Sequence, residues 1–205
     1  MPTKRNGAAT STDRPQITTT AYLILGLLAT REWSAYELAE QIGRGVTEVW
    51  PRADRQLYKT PKRLAEQGLV SSRKERTGRR SRTVYKITPA GRKALRGWLA
   101  TPTDAPSLEF EGMLRVLLAD QGEVEDLRRT LQSTIAQARA SRELFESHER
   151  YIEASDGGTF PERRHLFVLS TRFMLGHFTH LESWATWALA EVESWPDTKG
   201  SGSAD

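Results

Sequence analysis

Arg52, Arg55, Gln56, Tyr58, Lys59, Lys62 and Arg63 follow one another at intervals of one to three residues, and Arg79, Arg80 and Arg82 form a second cluster shortly after. Guanidinium and ammonium groups at this density can neutralise phosphates, and a glutamine or tyrosine among them can hydrogen-bond base edges or backbone oxygens. The ordinary alternative is a set of cations that only solvates an amphipathic helix. Two adjoining basic clusters argue instead for a polyanionic partner.

The charge distribution supports this. Residues 1–100 hold 20 Lys and Arg against 8 Asp and Glu, whereas residues 101–205 hold 10 against 18, so the net charge of +4 hides a basic half and an acidic half. A cationic half steers and binds double-stranded DNA by counterion release, and an acidic half cannot meet the phosphates.

Other chemistries lack their parts. The absence of Cys excludes disulfides, thiolate metal sites and a Cys nucleophile. His177 and His180 stand at i, i+3 with no third metal ligand placed beside them. Gly157-Gly158 follows no strand and opens no nucleotide-binding unit. Glu123, Glu125 and Asp126 read as a charge cluster complementing a helix dipole. The sequence therefore predicts no enzyme, no catalytic residue, no metal and no cofactor. Its longest apolar run, 21–29, is far short of the roughly 20 residues that span a bilayer. No signal sequence opens the chain, so no membrane association and a cytoplasmic location are expected.

The elements that position the basic clusters can be read from periodicity and caps. Residues 1–18, with Lys4, Arg5 and Arg14 among Thr, Ser and Gly, read as a disordered basic arm. Leu23, Ile24, Leu27 and Leu28 give a buried helix over about 19–30. Ser34 and Glu37 form a capping box for a second helix over about 35–43. Trp50-Pro51 makes a turn, and a third helix over about 54–67 ends at Gly68 in the C′ position. In that helix Leu57, Leu64 and Ala65 face the core with Tyr58 flanking, and Arg55, Gln56, Lys59, Lys62 and Arg63 face solvent. Pro61 falls inside it, where loss of the bond to the Leu57 carbonyl costs about 3 kcal/mol or more unless the helix bends. Val70–Arg76 and Arg82–Ile87 then read as two strands around a Thr77–Ser81 turn dense in cations, a wing able to straddle a DNA backbone. Thr88-Pro89 restarts a helix that runs to about Ala100.

Tyr22-Leu-Ile-Leu-Gly-Leu-Leu28, Tyr36-Glu-Leu38, Gln56-Leu-Tyr58, Lys62–Val70, and Val84–Gly91 with Leu95 and Trp98 together resemble the PadR-like transcriptional regulators over about residues 19–100. The resemblance implies a dimeric repressor that leaves its operator on binding an effector. Two positions depart from the family pattern. Ser34-Ala35 replaces a His-Gly pair, and Pro61 stands where an apolar Leu is usual.

Beyond a Pro-containing linker at 101–106, a short helix is expected over 107–120, a long polar one over 123–154 and an aromatic-rich one over 161–195, with Asp156-Gly-Gly158 between the last two. Their apolar seams are narrow, so pairing with a second copy is expected, and the resemblance makes this region the dimerisation module. Phe167, Phe173, Phe178, Trp184 and Trp187, with His177 and His180, form a stripe. The stripe either fills a dimer core or lines a pocket for a phenolic or other aromatic effector. Trp98, Phe173, His177 and Trp184 are the pocket candidates.

The sequence thus predicts a mainly α fold with a small β-hairpin wing. A disordered arm occupies 1–18, a winged helix-turn-helix DNA-binding domain 19–100, a helical dimerisation and effector domain 101–195, and a disordered tail 196–205. A homodimer of this kind reads a pseudo-palindromic operator. The alternative is a constitutive, architectural or protein-controlled DNA binder without a small-molecule effector.

Overall fold

The computed structural model describes residues 17–44, 46–51, 57–77, 80–155 and 160–199, with the side chains of Thr77 and Arg80 left out. The chain divides into two compact units, Met1–Ala105 and Pro106–Asp205.

In the first unit, helix α1 (Thr19–Leu28) begins where the Thr18 hydroxyl accepts the Ala21 N–H. Its buried face is Ala21, Ile24, Leu25 and Leu28. Leu25 thus takes a core position that the periodicity gave to Leu23 and Leu27, both of which are half-buried. Strand β1 (Trp33–Ser34) leads into α2 (Ala35–Gly43), where the capping box is complete. The Ser34 N–H donates to Glu37 Oε2 at 2.7 Å, and the Glu37 N–H donates to Ser34 Oγ at 3.3 Å. Leu38 and Ile42 bury the inner face of α2. A short α3 (Val46–Val49) follows, and the Trp50 indole N–H donates to buried Thr20 at 3.0 Å, tying this segment to α1.

The helix expected over 54–67 is shorter. Among the described residues Leu57–Lys59 form a turn, and α4 runs from Thr60 to Glu66. Pro61 therefore sits in the first turn, where a proline has no hydrogen bond to break and its fixed φ suits the helix. Its ring is fully buried beside Leu64. The expected bend ahead of Lys62 and Arg63 does not arise. At the far end Gly68 adopts φ +72°, and the Gly68 and Leu69 N–H groups donate to the Ala65 and Leu64 carbonyls, a Schellman termination.

Strands β2 (Val70–Thr77) and β3 (Arg80–Ile87) pair antiparallel from Val70 opposite Ile87 out to Thr77 opposite Arg80. The ladder reaches further than the expected Thr77–Ser81 turn allowed. β1 joins the free side of β3, with Trp33 opposite Tyr85, giving a three-stranded sheet of order β1-β3-β2. Helix α5 (Pro89–Leu99) starts at the Thr88 cap, whose Oγ1 accepts the Gly91 N–H. Gly91 is buried against the chain leaving α4: a Cβ there would lie 2.1 Å from the Leu69 carbonyl oxygen.

In the second unit the helix expected over 107–120 is confined to α6 (Glu111–Leu117), followed by a 3-10 turn at Ala119–Gln121. Phe110 is extended at φ −132°, and its ring covers Gly112 and meets Trp184 edge-on at 6.2 Å, so the chain enters the helix only at Glu111. Helix α7 (Val124–Ala154) and, after a 3-10 turn at Pro161–Arg163, helix α8 (Arg164–Glu193) pack along their length. Buried Leu127, Leu131, Thr134, Ala138, Phe145 and Ile152 on α7, and Thr171, Met174, Phe178, Ala185 and Val192 on α8, repeat at threes, fours and sevens. This is the period of a coiled-coil seam. Glu182 of α8 accepts from Arg139 at 2.9 Å and Arg142 at 3.0 Å across it, and these guanidinium groups hold its carboxyl below the usual range. No described helix is long and apolar enough to cross a membrane.

Candidate nucleic-acid interface

Four buried residues fix the basic surface. Leu57, Thr60, Pro61 and Leu64 are buried, and this anchors the turn before α4 and the inner face of the helix. Lys59, Lys62 and Arg63 are consequently turned to solvent on the opposite face. Tyr58 is 65% exposed in the turn, and Tyr36, at the start of α2, is 71% exposed. Both line a groove with Ser34, Glu37, Ser81 and Arg82, between α2, the turn before α4 and strand β3. The groove offers phenolic hydroxyls flanked by a guanidinium, groups suited to phosphate and sugar oxygens.

The wing is less free than its composition implies. Glu32 accepts from Arg73 and pairs with Lys86 at 3.1 Å. Glu75 pairs with Arg73 at 2.7 Å and with Arg82 at 3.0 Å, and Glu37 takes Arg82 at 3.3 Å from the other side. Hydrogen bonds from Arg73 and then Lys86 hold the Glu32 carboxyl below its ordinary range, and the Glu32 bond in turn raises Arg73. The Glu37 carboxyl is lowered mainly by the Ser34 backbone N–H and then by the Ser34 side chain. Among the described residues, Lys59, Lys62, Arg63, Lys74 and Arg76 carry no ion-pair partner. Unpaired outward charge thus lies on α4 and along β2, and also at Lys93 and Arg96 of α5, while Arg82 is bracketed by two carboxylates. Arg52, Arg55, Gln56 and Arg79, named from the sequence, lie outside the described residues, as does the side chain of Arg80.

Residues 24–97 match the Transcriptional regulator PadR-like family. The match lies wholly within the first unit. A relative described as negative transcriptional regulator PadR, from Bacillus subtilis (strain 168), is 27% identical over 156 residues, covering 73% of this chain and 85% of its own. The crystal structure of Bacillus subtilis PadR in complex with operator DNA superposes with a TM-score of 0.72 at 21% identity, covering 85% of this chain and 99% of that one. That of Bacillus subtilis PadR in complex with p-coumaric acid gives a TM-score of 0.67 at 20% identity, covering 85% and 98%.

The four pocket candidates are distributed over both units. Trp98 belongs to the first, where it stacks on Tyr22 with ring centroids 4.9 Å apart and planes at 6°. Phe173 and His177 are exposed one turn apart on α8, and Trp184 continues the same face, half-buried against Phe110. Phe178, one residue off that face, is buried in the α7–α8 seam and stacks on Phe145 at 5.8 Å. His177 and His180 are both exposed, and no group of three or more potential metal ligands occurs among the described residues. The sequence offered Tyr36 only as a motif residue and Glu37 only as a cap, and it gave Glu32 and Glu75 no role beside the basic clusters. The Glu75–Arg82 pair had a detectable signal, since the two residues fall opposite each other once the hairpin register is drawn.

Proposed function

We propose that the chain is a homodimeric, sequence-specific repressor whose grip on a pseudo-palindromic operator is released by a small aromatic effector. The observation that carries this reading is the pinned α4, with Lys59, Lys62 and Arg63 outward and Tyr36, Tyr58 and the wing beside it. The role assigned to the sequence-named cations follows from it. Lys59, Lys62, Arg63 and Arg52 hold phosphates, Arg55 and Gln56 read base edges, and Arg79, Arg80 and Arg82 serve the wing. Negative regulation is supported by the relative described as a negative transcriptional regulator, and the effector class by the similar fold that holds p-coumaric acid.

Pairing is supported by the second unit. Leu166, Leu169 and Phe173 project from α8 at threes and fours and are largely exposed, outside the α7–α8 seam. A second copy laid along this stripe buries it and gives the pair two α4 helices, one for each half-site.

Mapping the chain's binding sites across its host genome, with transcripts measured beside each site in the presence and absence of its gene, tests the proposal. Transcripts next to inverted-repeat sites should rise when the gene is deleted, and also when an aromatic acid is supplied to the intact strain. Transcripts that fall on deletion would overturn repression, and indifference to every aromatic compound would overturn effector control.

A further inference from the structure

We propose that the cavity between α6, α7 and the C-terminal end of α8 is a binding site for a planar organic cation. Its volume is about 440 Å³, within the range of small-molecule sites. Three of the chain's six tryptophans, Trp184, Trp187 and Trp195, line it, over a floor that includes buried Leu127 and Leu131. The charged lining residues are Asp120 and Glu191, and no Lys, Arg or His lines it among the described residues.

The wall is built in advance. Arg128 of α7 donates to the Val192, Glu193 and Trp195 carbonyls at 3.3, 3.2 and 3.4 Å, holding the turn after α8 in place. The Thr198 hydroxyl donates to the Gly122 carbonyl at 3.0 Å and fixes the chain beyond it. Arg128 is thereby committed to carbonyl oxygens and to Glu125.

Indole faces attract positive charge through their quadrupole, and two carboxylates of one sign add to that attraction. The same pair repels an aromatic acid, so the cavity discriminates by charge as well as by shape. The site lies within the second unit, and the proposal does not rest on the first unit's reading as an operator-binding surface.

Calorimetric titration of the full-length protein with 1-methylquinolinium, with neutral 2-naphthol and anionic 4-hydroxybenzoate as comparators, tests this. The cation should bind saturably, one per chain, and 4-hydroxybenzoate should bind far more weakly. The isosteric double variant Asp120→Asn, Glu191→Gln should weaken the cation on the order of tenfold while leaving 2-naphthol within about twofold. Trp195→Ala, checked for retained helicity, should weaken both. Absence of saturable cation binding, equal affinity for the anion, or an unchanged cation affinity in the double variant would overturn the proposal.

Discussion

At the scale of single residues, a carboxylate beside a cation competes with any phosphate for it. Glu75 pairs with Arg73 and accepts from Arg82, and both pairs are exposed enough to be screened, so each adds little to stability. Glu75→Gln should therefore tighten binding to every duplex a few-fold and steepen the salt dependence by about one unit of slope, read by fluorescence anisotropy over a salt series. Lys62→Ala should do the reverse, weakening all duplexes alike. Gln56→Ala should instead change which sequences are preferred, and a uniform loss would remove Gln56 from base reading. The capping box adds a pH dependence. The Glu37 carboxyl is depressed in the folded state, so its contribution to stability is fully present above the unfolded carboxylate value and is lost as pH falls through the folded one. Glu37→Gln should flatten the acid limb of a stability profile measured by denaturant titration between about pH 3 and 6.

At the scale of elements, two glycines fix how α4, the sheet and α5 meet. Gly91→Ala would drive a Cβ into the Leu69 carbonyl, and that backbone cannot yield cheaply, so a loss of about 1–3 kcal/mol is expected in thermal or chemical unfolding. Gly68→Ala meets no atom but must hold φ +72°, for about 1 kcal/mol. These contacts also explain what the sequence could convey. The Ser34–Glu37 box, the Thr88-Pro89 start and the Gly68 stop have their capping partners within a few residues, and each lies where local pattern put it. Strand β1 escaped because two residues carry no periodicity and its partner lies 50 positions away, at Val84 and Tyr85. The start of α4 was misplaced because helical spacing runs through Leu57, whereas burial of Thr60 and Pro61 decides where the turn ends. The wing's counter-charges escaped for a similar reason, since Glu32 reaches Arg73 only once α1, β1 and the hairpin are assembled.

At the scale of the whole molecule, the account rests on two copies presenting two basic helices. Leu169→Asp combined with Phe173→Asp places charge on the exposed stripe of α8 while sparing the buried seam, so each chain should keep its helicity yet sediment as a monomer. Operator affinity should fall by orders of magnitude, because the second half-site no longer binds within the same complex. The claim that most needs testing is sequence-specific reading by a two-fold pair. Selection of bound duplexes from a random DNA pool by the purified full-length protein, at about 150 mM salt where exposed charges are screened beyond roughly 8 Å, addresses it directly. The account predicts recovery of an inverted repeat with half-site centres about one helical turn, or a multiple of it, apart. Recovery of no common motif, with binding that collapses as salt rises, would contradict it.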